Sequence, residues 1–172
     1  MAVVTGLSQI NVGFNQAVSA GLVKAQTLPA ALALTANYTN GTGANQIDLL
    51  YAKQLTFVAS TPQTLDLTAI SDLAAATANM ARVREFLLQV VTATVDFDII
   101  LGAAASNAWA PLWGATGTQE VFAGTCYYFS DPTTVGSGKG AVTSGTSKNL
   151  KLDPGSNIVV ANLIIAGCSA VS

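Results

Sequence analysis

From Ile47 onward the apolar residues fall into the two-residue period of half-buried strands. Ile47, Leu49, Tyr51, Leu55 and Phe57 share one parity, with Asp48, Gln54 and Thr56 on the other, the alternation that turns one face of a strand inward. Pro62 closes that element or its turn, and Thr64-Leu65-Asp66-Leu67 alternates again. Residues 71–80 are rich in Ala and polar side chains; they predict one helical turn capped by Ser71 or Asp72, or a plain loop. The stretch from Arg82 to Thr94 starts with good helix formers, but Val90, Val91, Thr92, Thr94 and Val95 are β-branched and favour a strand. Val95, Phe97, Ile99 and Leu101 alternate with Asp96 and Asp98 before Gly102, predicting a strand with a partner close behind. Residues 103–118 form a long connection holding Trp109 and Trp113 around Pro111. An aromatic-rich strand is expected over 120–129, ended by Asp131-Pro132, and then an exposed loop or loose hairpin around Gly145 over 133–149. Leu150 and Leu152 mark a short strand, Asp153-Pro154-Gly155 a turn, and 158–165 is apolar on both faces, as a central strand would be.

Seven or eight short strands separated by turn residues, without a βαβ rhythm, predict an all-β fold: an antiparallel β-sandwich, jelly-roll-like, over residues 37–172. The cysteine and tryptophan spacing of immunoglobulin domains is missing, which makes that core the weaker choice. Residues 1–36 read differently. Val12, Phe14, Val18, Leu22, Leu28, Leu32 and Leu34 are spaced by Ser, Asn, Gln, Gly and Pro29 with no sustained period, and Lys24 is the one charge before Asp48. This predicts an extended N-terminal arm with a short strand near 32–38; a helix over 15–24 competes, weakened by Gly21. An arm so apolar has no place inside a sandwich that later strands already fill. Its seven apolar residues are therefore expected to contact another subunit or another protein, the alternative being edge strands within its own fold.

Composition sharpens the picture. Of 172 residues, 51% are hydrophobic and 9% charged, against roughly 25% charged in ordinary soluble domains. A compact monomer of this mass exposes about 7,900 Å², so seven cations and nine anions leave each charge about 500 Å² of surface. Such cover suits a molecule whose surface is largely occupied by neighbours. A net charge of −2 without a basic run excludes nucleic acid as an expected partner. A mean hydropathy of +0.48 is not concentrated in the roughly 20 apolar residues of a membrane helix. The opening Met-Ala-Val-Val-Thr-Gly lacks the basic and apolar regions of a secretory signal, so synthesis in a cytoplasm is expected.

The chain contains no histidine, which removes Ser-His-Asp and Cys-His triads outright. Asp96 and Asp98, two apart on an expected strand, would share a face, the arrangement of a cation site or an acid/base pair, though two solvated residues beside an inward Phe97 explain them as well. Gly136-Ser-Gly-Lys-Gly140 suggests a phosphate loop but has Thr133 and Gly140 where that motif needs Gly and Ser or Thr. Asn37-Tyr38-Thr39 and Asn40-Gly41-Thr42 match the glycosylation acceptor pattern without the secretory context it needs. Cys126 and Cys168 read as buried free thiols, with a single bridge as the alternative. Trp109 and Trp113 are candidates to anchor a partner or stack on a sugar, or else they cap one end of the core. No catalytic, metal or cofactor residue is expected.

The words Asn40-Gly41-Thr42-Gly43-Ala44-Asn45-Gln46-Ile47-Asp48, Thr64-Leu65-Asp66-Leu67, Ala81-Arg82-Val83 and Gly102-Ala103-Ala104 resemble small tailed-phage virion proteins of the capsid decoration, or cement, kind over residues 30–170. The resemblance implies a bacteriophage structural protein. It would be a small β-domain on the capsid surface of the virion, associated with itself, often as a homotrimer, and with the major capsid protein, strengthening the junctions between capsomers. It brings no catalytic residues and no cofactor. The segment before the resembling block would serve as a partner-binding arm. A head-fibre, tail or receptor-binding module contacting host glycan through the Trp109 to Trp113 and 133–149 loops is the first alternative, and a jelly-roll capsid subunit the second.

Overall fold

The computed structural model describes residues 6–14, 30–71, 77–92, 94, 96–133 and 138–170, with the side chains of 6–14, 30–35 and 78 outside the description. Every regular element among them is a strand: β1 (Gly6–Phe14), β2 (Ala30–Asn40), β3 (Gln46–Ile47), β4 (Leu49–Phe57), β5 (Gln63–Asp66), β6 (Ile70–Ser71), β7 (Thr77–Ala78), β8 (Arg82–Val90), β9 (Ile99–Gly102), β10 (Thr118–Val121), β11 (Cys126–Ser130), β12 (Asn149–Asp153) and β13 (Val159–Cys168).

Two four-stranded antiparallel sheets pack face to face, ordered β11-β8-β13-β4 and β10-β9-β12-β5. The pairings are nested in sequence. β9 pairs with β10, β8 with β11, β5 with β12 and β4 with β13, so the chain doubles back as one long hairpin whose successive pairs alternate between the sheets. That connectivity is the eight-stranded jelly roll. Tyr51, Phe57, Phe86, Leu88, Leu101, Leu152, Leu163 and Ile165 fill the space between the layers, each contributing about 1.5–3 kcal/mol by leaving water. The apolar run expected to be central is β13, flanked by β8 and β4.

Three expectations are corrected in detail. The aromatic-rich stretch 120–129 is two strands in different sheets, because the turn at Phe122 to Thr125 closes with a Thr125 N–H to Phe122 O bond of 3.0 Å and Gly124 sits at φ +73°, a left-handed conformation glycine adopts freely. Asp96 and Asp98 do not lie on a strand: Asp96 has φ +68° in the turn before β9, where a short polar side chain tolerates that backbone. Residues 70–71 and 77–78 pair as a short ladder, which a plain loop over 71–80 does not provide, while the alternative helical turn after Ser71 or Asp72 falls on 72–76, outside the described residues. Gly140, the last residue of the apparent phosphate loop, has a packing reason to be glycine. Its carbonyl accepts from Val83 N–H at 2.8 Å, and a Cβ there would lie 1.8 Å from Val83 O.

The arm's described residues form an antiparallel ribbon, β1 against β2 over nine register pairs from Gly6↔Tyr38 to Phe14↔Ala30. The ribbon belongs to neither sandwich sheet; β2 meets β3 in parallel at Thr39↔Gln46 and Asn40↔Ile47. β2 runs unbroken through the expected boundary at 36/37. Val12 and Phe14 lie on β1 and Leu32 and Leu34 on β2, while Val18, Leu22 and Leu28, and the alternative helix over 15–24, lie outside the described residues.

Candidate functional site

The two ends of the sandwich differ in chemistry. At the end where β8 begins, a polar cluster roots the ribbon. Arg82, Arg84 and Glu85 are all buried, which is costly for charges unless they are paired. Glu85 accepts a hydrogen bond from the Tyr38 hydroxyl and another from Ser130 Oγ at 2.7 Å. Arg84 donates to the carbonyls of Asp131 at 3.1 Å and Gly43 at 2.9 Å. Burial above all, with the Glu85 hydrogen bond second, raises the Tyr38 pKa far above the ordinary phenol value. Burial, then the neighbouring Arg84, lowers the pKa of Arg82. Tyr38 also packs with Ile47 and Ala166, flanked by Ala36 and Leu50. One residue of β2 thus joins arm and body by both an apolar contact and a charged hydrogen bond. The word Arg82-Val-Arg-Glu85, three charges in four residues of a sparsely charged chain, was the signal available for this cluster. The alternation pattern passed over it.

At the other end, four large apolar residues face solvent. Val58 follows β4, Ile158 precedes β13, Val91 follows β8 and Phe122 follows β10; they are 61%, 60%, 45% and 57% exposed. The register that pairs Phe57 with Val159 brings Val58 opposite Ile158. Val91 N–H donates to Val160 O at 2.8 Å, and Gly124 N–H to Thr92 O at 3.1 Å, which holds the Phe122 turn beside Val91. The four form one apolar end, of the kind that marks an interaction surface.

Beside it lies a cleft of about 310 Å³ lined by Asp96, Asp98, Glu120, Asp153 and Asn157 among others. Two of its carboxylates are engaged in local structure. Asp98 Oδ1 accepts from Ala123 N–H at 2.7 Å; Asp153 pairs with Lys151 at 2.9 Å and accepts from Gly155 N–H at 3.0 Å. The hydrogen bond from Lys151 holds the Asp153 carboxyl below the usual carboxylate range. Among the described residues no three His, Cys, Asp or Glu side chains are grouped to hold a metal ion.

Trp109 and Trp113 are brought together but play different parts. Trp109 is 2% exposed and donates its indole N–H to Ala141 O at 2.9 Å, so it belongs to the core. Trp113 is half-buried, edge-on to Trp109 with ring centroids 5.9 Å apart and 5.6 Å from Tyr127. The two cysteines also separate: both are free thiols, Cys168 buried as expected and Cys126 exposed. Cys126 shares the parity of Tyr128 and Ser130 on β11, opposite to Tyr127 and Phe129, which pack against the core; this puts the thiol on the outer face of an edge strand.

Comparison of the chain with protein-family models, with curated proteins and with solved structures finds no match.

Proposed function

We propose that the protein is a structural virion protein, a capsid decoration or cement protein that binds the outer capsid surface and stabilises the junctions between capsomers. The observation that carries this reading is the exposed apolar end formed by Val58, Val91, Phe122 and Ile158, on a molecule whose opposite end carries the rooted ribbon. A body with an adhesive surface at one end and an extended strand pair at the other is suited to join two neighbours. The sparse surface charge and the resemblance of residues 30–170 to decoration proteins support the same reading. The mechanism is physical: apolar area removed from water at each contact, multiplied over many copies on one particle.

The jelly roll serves viral capsid, lectin and cupin domains alike, so the fold does not choose among these functions. The acidic cleft favours one second reading, host-glycan attachment, because carboxylates and an amide beside the exposed Phe122 are groups that bind sugar hydroxyls and a sugar face. The loop of Trp109 and Trp113 offers less to a glycan, since Trp109 is buried.

The test mixes the purified chain with shells assembled from the major capsid protein of the same genome and sediments them through sucrose. Co-sedimentation at a fixed ratio, with a higher shell melting temperature, is the expected result. A chain that stays at the top of the gradient refutes the decoration reading. Binding to host polysaccharide that is lost in Glu120→Gln would replace it with attachment, and closed shells formed by the chain alone with a capsid-subunit role.

A further inference from the structure

An edge strand invites a further strand to its backbone, and proteins blunt such edges with charge, proline or short length. In the sandwich, β4 carries the exposed Lys53, the four-residue β10 carries Glu120, and β5 follows Pro62 and ends on Asp66. β1 has none of these. It runs for nine residues, Gly-Leu-Ser-Gln-Ile-Asn-Val-Gly-Phe, without charge or proline, and among the described residues it pairs with β2 alone.

The backbone of the ribbon can be followed group by group. Thr39 N–H donates to Asn45 O and Gly41 N–H to Ile47 O, each at 3.1 Å, towards β3. Successive residues of a strand direct their hydrogen-bonding groups to opposite edges, so the even positions of β2 bond to β1. The register joins even to even, Ser8↔Ala36 and Ile10↔Leu34 among them. The N–H and C=O groups of Leu7, Gln9, Asn11 and Gly13 are thereby directed to the outer edge. A two-stranded ribbon is marginal in water by itself and gains from further strands.

The strand that fits this edge is β1 itself. Laid antiparallel about a twofold axis at Ile10, two copies of β1 overlap along their whole length: Gly6 stands opposite Phe14, Leu7 opposite Gly13, Ser8 opposite Val12 and Gln9 opposite Asn11. The four outward residues are then the ones that exchange hydrogen bonds. Ile10 meets its own copy at a position without them, where antiparallel strands lie closest. The residue types agree with this register. Each glycine meets a large apolar residue, the pairing that steadies a glycine in a strand; the two amides meet each other, and no like charges are opposed. A slip of one residue would set outward groups against inward ones, and a slip of two would shorten the overlap and part both glycines from their large partners.

We infer that two copies of the chain associate edge to edge through β1, making one four-stranded antiparallel sheet from two ribbons. This rests on the reading of the protein as an assembling structural component and names the contact through which its copies meet. Strand addition of this kind draws its affinity from main-chain hydrogen bonds. The contact is isologous, the same strand on both partners, so it joins copies in pairs, whereas the resemblance to decoration proteins implies a homotrimer.

The experiment measures the mass of the full chain by light scattering after gel filtration. The unaltered protein is expected at twice the 17.5 kDa of one chain. A residue on the twofold axis faces itself, so Ile10→Lys and Ile10→Glu each oppose like charges and should each give monomer, while an equal mixture of the two should recover the dimer. Ile10→Cys covers the case in which a charged variant fails to fold. In a Cys126→Ser background, which removes the exposed native thiol, oxidised Ile10→Cys should run as a covalent dimer on a non-reducing gel, and Ser8→Cys should not. A monomeric or trimeric unaltered chain overturns the inference. So does a dimer that survives Ile10→Lys, a mixture of folded variants that stays monomeric, or cross-linking that is absent in Ile10→Cys or equal in Ser8→Cys. Sedimentation with capsid shells separates this from the decoration reading: a monomer that binds shells sinks the strand pairing alone, and a dimer that ignores shells sinks the decoration reading alone.

Discussion

Replacing Tyr38 with Phe removes one oxygen atom from the root of the arm and leaves the ring that packs on Ile47 and Ala166. The lost bond is donated to a buried carboxylate, and hydrogen bonds to charged groups contribute about 1.5–3 kcal/mol. For a chain of this length, roughly 2–4 °C of melting temperature accompanies each kcal/mol, so Y38F should melt about 3–12 °C lower at neutral pH. Glu85 keeps the Ser130 hydroxyl, which holds the loss within that range. The dependence on pH gives a second, sharper reading. The Tyr38 pKa is raised in the folded state above its ordinary value of 10.0, so its contribution is complete below pH 10 and is lost as the pH rises, because only the unfolded chain then ionises this phenol. By linkage the loss is about 1.4 kcal/mol at pH 11 and about 2.7 kcal/mol at pH 12. The advantage of the unaltered protein over Y38F should therefore shrink above pH 10 and vanish at about pH 11–12. Thermal melts at neutral pH and urea titrations from pH 8 to 12, both followed by the fluorescence of Trp109 and Trp113, measure the two effects. Equal midpoints at neutral pH, or a gap that stays constant from pH 8 to 12, would refute the link between Tyr38 and Glu85.

Gly140→Ala should destabilise by about 1–3 kcal/mol or more, since the added methyl meets the Val83 carbonyl and must open the Val83 to Gly140 bond; a urea midpoint equal to that of the unaltered chain would contradict it. Phe122→Ser and Ile158→Ser, at mostly exposed positions, should leave the midpoint within about 0.5 kcal/mol while abolishing capsid binding in the sedimentation assay. Cys126 should react with a thiol reagent in the native protein and Cys168 only on unfolding, because Cys168 is buried and burial raises its pKa; two equally fast thiols by absorbance would be the opposite result.

The sandwich was legible where side chains alternate against a core and where turns are written in glycine, proline and aspartate. The 49–57 strand follows from that alternation, and the central strand, expected over 158–165 and found at 159–168, from a run that is apolar on both faces. β1 was missed because its alternation is brief: Ile10, Val12 and Phe14 share one parity, but Leu7 falls on the other and no charged face marks the strand. The division of 120–129 between two sheets was hidden because Phe122 continues the apolar pattern through the turn. For the cluster of Arg82, Arg84 and Glu85 the density of charge was legible but the burial was not: the partners Tyr38 and Ser130 are distant in sequence, and nothing local distinguishes a charge held by a remote hydroxyl from one held by water. The apolar end escaped as well, since Val58, Val91, Phe122 and Ile158 are brought together only when four strand ends meet.

The nesting of the strand pairs also fixes an order of events during synthesis. Gly102 pairs with Thr118, Glu85 with Ser130, Asp66 with Asn149 and Leu49 with Gly167, each closure spanning a longer stretch of chain than the one inside it. Loops of increasing length cost increasing entropy and slow the search for partners, so the fold is expected to close from the β9–β10 tip outward. β13 is made last yet lies between β8 and β4. Until residues 159–168 leave the ribosome, the sheet has no middle: β4 waits without a partner while β8 and β11 expose the side that β13 will cover, and a nascent chain in that state is a natural client for a chaperone.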